Sequence, residues 1–91
     1  MSGGTFDYIQ HRFPEITFRI DTVIQNNDVP NEFGYATKYP PEILEKFKNI
    51  KKLIEETGNI IHTLDYFIDG DISEETFLKD YGESLEEIKK I

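Results

Sequence analysis

The sequence predicts an all-α protein, and three observations point to helices. Ile43, Phe47, Ile50, Ile54, Thr57, Ile61, Leu64 and Ile68 recur at alternating steps of four and three, an unbroken apolar seam with a period near 3.5. Phe6, Ile9, Phe13, Ile16, Ile20 and Val23 repeat the same spacing nearer the start. Helix punctuation bounds both series: Asn26-Asn27-Asp28-Val29-Pro30 after the first, Pro40-Pro41 before the second and Asp69-Gly70-Asp71 after it. All 91 residues belong to a single helical domain (1–91), since a chain this short supports one small core.

The first helix is expected to start after Thr5, a residue type suited to an N-cap. Pro14 lies inside the series. It removes a backbone donor, so either the helix kinks there or Pro14 opens a second helix. The stretch Ile16-Thr17-Phe18-Arg19-Ile20-Asp21 also alternates apolar and polar residues, as a strand would. Continuity of the seam on both sides favours helix. Before it, Ser2-Gly3-Gly4 has backbone freedom enough to form an anion-binding concavity, although the same residues also suit a frayed end.

The stretch Asn31–Pro41 reads as a loop dense in aromatics. Phe33, Tyr35 and Tyr39 are expected to pack back on the core; the alternative is that they line a binding surface. The long central helix follows, from Pro41 to about Asp69, some 43 Å at 1.5 Å per residue. Leu53, Ile60 and Phe67 widen its apolar stripe, and Glu45, Lys48, Lys52, Glu55, Glu56 and Asn59 occupy the opposite face. A compact chain of this size has a radius of gyration of about 12 Å, so such a helix outruns its own domain. A homo-oligomer through the long helix is therefore expected. Gly58 beside the seam marks a close helix approach or a bend. His62 reads as a hydrogen-bonded boundary residue. Beyond Gly70, Ser73 with Glu74 and Glu75 starts a C-terminal helix. Gly82 is expected to break it, with Ser84-Leu85-Glu86-Glu87 capping a last short helix, giving one or two short C-terminal helices.

Composition narrows the function classes. Hydrophobic residues make up 37% and charged residues 31%, which is globular rather than disordered. The net charge of −8 is uneven: residues 1–40 carry five acids against Arg12, Arg19 and Lys38, while residues 41–91 carry thirteen against seven lysines. Such a surface repels a nucleic-acid backbone, so direct nucleic-acid binding is not expected. The acid either keeps the protein in solution or docks on a basic partner. The absence of cysteine fits a reducing cytoplasm and removes thiolate metal sites. No apolar run reaches the roughly 20 residues of a membrane span, and no basic-then-apolar leader opens the chain. Asp69, Asp71 and Ser73 match the start of an EF-hand loop, but Glu74 stands where Gly is required and Asp80 where Glu is. No P-loop, HExxH, GxGxxG or nucleophile elbow occurs. No enzyme activity, cofactor or metal is expected.

The opening Met1-Ser2-Gly3-Gly4 followed by Phe6-Asp7-Tyr8 resembles that of small, acidic, mostly uncharacterised phage and bacterial proteins that begin MSGG-x-F-[DN]-Y. KYPPEILEKFK, entering the long helix, and LDYFIDGDISEETFL, near DWLxSGDxGEETF in that family, are similar too. Tyr66-Phe67 replace its usual Trp-Leu, Ser73 replaces Gly, and Pro14 is a further departure. The resemblance implies an all-helical fold and no known activity. Small phage proteins of this kind often antagonise host defence, which implies two functions. One is an oligomer that sequesters a nucleotide-like signal at Gly3, Gly4, Tyr8, His11 and Arg12, with Tyr8 stacking and Arg12 meeting a phosphate. The other is an acidic inhibitor docked on a basic host protein. A structural or assembly role is the third possibility. Either antagonist would work in the cytoplasm of the host cell.

Overall fold

The computed structural model describes residues 9–91, and side chains from His11 onward. The Thr5 cap, the start of the first helix at Phe6 and the Ser2-Gly3-Gly4 segment lie outside the described residues. Three helices follow: α1 (Phe13–Gln25), α2 (Pro41–Ile68) and α3 (Glu74–Lys89). The fold is all-α.

A single 3₁₀ turn, Ile9–Arg12, leads into α1. Pro14 sits in the first turn of α1, where a missing N–H costs nothing because that donor has no partner within the helix. The proline thus separates turn from helix rather than kinking one continuous helix. Ile16 to Asp21 are helical, as the seam requires.

Between α1 and α2 the chain makes a braced loop. Tyr39 N–H donates to Asn27 Oδ1 at 2.7 Å and Asp28 N–H to the Thr37 carbonyl at 2.7 Å, which closes the neck. Asn31 Oδ1 accepts from the N–H groups of Phe33 and Tyr35 at 2.9 and 3.0 Å, which shapes the tip. The expectation that all three aromatics pack inward is corrected here. Only Tyr39 does so, edge-on to Phe47 with centroids 5.1 Å apart. Phe33 and Tyr35 are 74% and 76% exposed. Asn31 holds their backbone in a turn at the loop tip, which leaves both rings largely in solvent, Tyr35 bordering a shallow depression beside Thr22 and Val23 at the end of α1.

Helix α2 starts as its prolines dictate, Pro40 extended and Pro41 in the first turn. It ends in a Schellman motif: Asp71 N–H reaches the Tyr66 carbonyl at 2.9 Å, Gly70 N–H reaches Phe67 at 3.1 Å, and Gly70 has φ +81°. Asp69 and Asp71 thus belong to the helix end. Ser73 caps α3 by accepting from Thr76 N–H at 3.2 Å. Gly82 does not break α3, which runs unbroken for 16 residues, and Ser84 is buried within it rather than capping a new helix. The reason is packing. Phe77 stacks on Phe67 of α2 at 4.7 Å, and Ser84, seven residues on, lies on the same side. That anchorage outweighs the roughly 1 kcal/mol cost of a mid-helix glycine.

Both flanking helices run antiparallel to α2. Phe13 meets Gly58 while Asp21 meets Lys51; Phe77 meets Phe67 while Glu87 meets Lys52. Helices α1 and α3 contact α2 but not each other. The described helices therefore form one layer, and the principal extents are 54 × 27 × 11 Å. Its radius of gyration is 17.2 Å, against about 12 Å for a compact chain of this length. Among the described residues no hydrophobic side chain is buried; the buried ones are Glu56, Asp65 and Ser84.

Candidate functional site

Where the 3₁₀ turn and the first turns of α1 meet the middle of α2, the surface forms a groove of about 320 Å³. Its geometry starts from Gly58. A Cβ there would lie 3.2 Å from Phe13 Cδ2, so glycine lets the phenyl ring sit directly on the α2 backbone. This brings the preceding turn over the next stretch of α2. His11 stands edge-on to His62, with centroids 5.9 Å apart and planes at 75°. His62 in turn lies 4.2 Å from Tyr66. Thr17, Ile54, Glu55 and Asn59 complete the lining.

The groove offers aromatic and imidazole surface for a flat ring, and the Asn59 amide supplies both donors and an acceptor. The Thr17 hydroxyl donates to the Pro14 carbonyl at 3.0 Å, leaving its lone pairs as acceptors. Glu55 at the margin is held by Lys51 Nζ at 3.8 Å. The volume lies at the lower end of the ~300–1,000 Å³ range of small-molecule sites.

Beside it, nearer the end of α1, Lys48, Lys51 and Lys52 gather on α2. Lys51 Nζ lies 2.9 Å from Asp21 Oδ1. The hydrogen bond to Asp21 raises the lysine above its ordinary range; partial burial opposes this, and the charges of Asp21 and Glu55 add to it. Lys52 bridges Glu56 at 3.4 Å and Glu87 of α3 at 3.9 Å. Lys51 and Lys52 thus serve to hold the layer together. Among the described residues no cluster of three or more His, Asp or Glu residues could hold a metal ion. No described helix is long and apolar enough to cross a membrane.

Of the residues expected at a site, His11 lines the groove. Arg12 is exposed and does not line it. Gly3, Gly4 and Tyr8 lie outside the described residues. The α2 contribution, Asn59 and His62, was missed, because His62 reads in isolation as a boundary residue. The signal was Gly58: a glycine one residue from Asn59 and one turn from His62 marks where another element crosses. No family model, curated protein or solved structure matches this chain.

Proposed function

We propose that this protein is a non-catalytic binding protein that sequesters a small nucleotide-like ligand, and that it acts as an assembly of copies associated through α2. The groove between His11 and His62 carries the proposal. A nucleobase stacks against the imidazoles and Phe13, and the Asn59 amide pairs with its edge. Arg12, adjacent in sequence to His11, supplies the cation for a phosphate, and Gly3, Gly4 and Tyr8, expected at the site from the sequence, stay in the proposal as residues to test. The resemblance of the opening to small phage and bacterial proteins makes a signalling nucleotide of a host defence system the first ligand class to test. The lack of any nucleophile–base motif supports sequestration over turnover.

Thermal unfolding against a panel of mono-, di- and cyclic nucleotides tests this. A ligand at 100 times its Kd stabilises by about 2.7 kcal/mol, or roughly 10 °C or more for a domain of this size. At least one nucleotide should give such a shift, and His62→Ala and Asn59→Ala should each remove it. No shift across the panel would rule the proposal out.

One observation favours a second function, docking on a host protein. Phe33 and Tyr35, exposed on a hydrogen-bonded loop, are of the residue types that anchor protein interfaces, and the brace lowers the ordering cost on binding. If so, Phe33→Ser with Tyr35→Ser abolishes biological activity while nucleotide binding is unchanged.

A further inference from the structure

The helix layer has two unlike faces. Helix α1 lies against the side of α2 that carries Lys51, Gly58 and His62, and α3 against the side with Lys52 and Phe67. At 3.6 residues per turn these two sides are nearly opposite, which leaves two strips along α2 that neither of the other described helices covers. One carries Lys48, Glu55, Asn59 and Tyr66 and bears the groove. The other carries Ile43, Ile50, Leu53 and Ile68, which are 39%, 48%, 43% and 53% exposed. Thr57 on this second strip turns its hydroxyl into the helix, donating to the Leu53 carbonyl at 2.8 Å.

The flanking helices continue the second strip. By the same helical geometry Ile16 and Val23 of α1, and Leu78 and Tyr81 of α3, fall on that face, and all four are exposed. The opposite, grooved face carries Phe18. One surface of the layer thus carries exposed apolar side chains on all three helices, with two cations among them, Arg19 between Ile16 and Val23 and Lys46 between Ile43 and Ile50.

We infer that a second copy of this chain covers this face, layer against layer, so that the folded unit is a two-layer assembly with the grooves on its outer surfaces. Three observations select a second copy. A lone helix layer cannot enclose a core, yet stable domains are built from two packed layers, and here no described hydrophobic residue is buried in one chain. The chain exposes 6795 Å², where a compact protein of its mass exposes about 5,500 Å². The excess exceeds the ~800 Å² each partner buries in a standard interface. Charge points the same way. The carboxylates along the middle of α2 lie off this strip: Glu55 faces Lys51, Glu56 is buried against Lys52, and Asp65 is fully buried. Two copies of charge −8 meet here without bringing those acids together, whereas a basic partner would seek the acids. This deepens the assembly proposed above and is independent of the ligand, because the groove lies on the other face.

Sedimentation equilibrium at micromolar concentration, on wild type, Ile50→Asp and Phe18→Ser, tests it. Wild type should be a dimer or an even-numbered larger assembly. Ile50→Asp should sediment as a monomer or unfold, and Phe18→Ser, on the grooved face, should remain assembled. Should Ile50→Asp unfold, a nitroxide on Leu53→Cys decides, since the chain has no other cysteine. It should be immobilised and spin-coupled to its copy, while one on Phe18→Cys stays mobile. A monomeric wild type, a folded and assembled Ile50→Asp, dissociation of Phe18→Ser or a mobile Leu53→Cys label would each overturn the inference. A monomer that still binds nucleotide would overturn the assembly alone.

Discussion

Phe13 lies on Gly58 so closely that a Cβ at that glycine would stand 3.2 Å from its ring. This contact fixes the angle of α1 on α2 and, through it, the separation of His11 and His62. Gly58→Ala sets two effects against each other: better helix propensity, about 1 kcal/mol, and a phenyl ring that must yield by a few tenths of an ångström. The ring is only half-buried and has room to move, so urea denaturation should show a change of under ~1 kcal/mol. Gly58→Leu overpacks the contact and should destabilise by about 1–3 kcal/mol and abolish ligand binding.

The Asp21–Lys51 pair gives a pH signature. The folded lysine is raised above its ordinary value, so the stabilisation is fully present below about pH 10.4, the unfolded lysine range, and is lost as pH rises through the folded value. Wild type should melt above Lys51→Met through neutral pH, and the gap should narrow only in the alkaline range. A gap that widens with pH would contradict the pairing.

The α2–α3 connection rests on two local devices. Ser73→Ala removes the side chain that accepts from Thr76 N–H and should cost about 1 kcal/mol. Gly70→Ala places a Cβ at φ +81° and should cost about 1–2 kcal/mol. Ser73 acts on the start of α3 and Gly70 on the end of α2, both remote from the groove, so ligand affinity measured by calorimetry should stay within a factor of about two of wild type at temperatures where the protein is folded. A tenfold loss would mean that the α2–α3 connection is coupled to the site.

At the N-terminal segment, Gly4→Val and Arg12→Glu should each abolish function while leaving helix content and melting temperature nearly unchanged. Circular dichroism with a binding assay checks this. Unimpaired binding in both variants would confine the site to His11, Asn59 and His62.

The helices were legible in the sequence because their cause is local. Pro41, Gly70 and Ser73 are each sufficient for the helix end they make, and the four-three seam of α2 cannot be laid on any other element. Gly82 misled because its effect is decided elsewhere: Phe67, fifteen residues back in the chain, anchors Phe77 and carries α3 through. Phe33 and Tyr35 misled for the converse reason, since Asn31 turns their backbone outward and sequence composition does not record the direction of a turn. The groove was half legible. His11 was expected at a site, while Asn59 and His62 join it only through the crossing at Gly58, a non-local contact that spacing along one helix does not reveal.

The most direct test of sequestration is to load the purified protein with the nucleotide that stabilises it most, remove free ligand, unfold the protein and identify what is released. The proposed function requires ligand recovered chemically intact and in fixed proportion to the protein, and His62→Ala carrying none. Release of a hydrolysed product would make the protein an enzyme, and a preparation that retains no nucleotide would contradict sequestration outright.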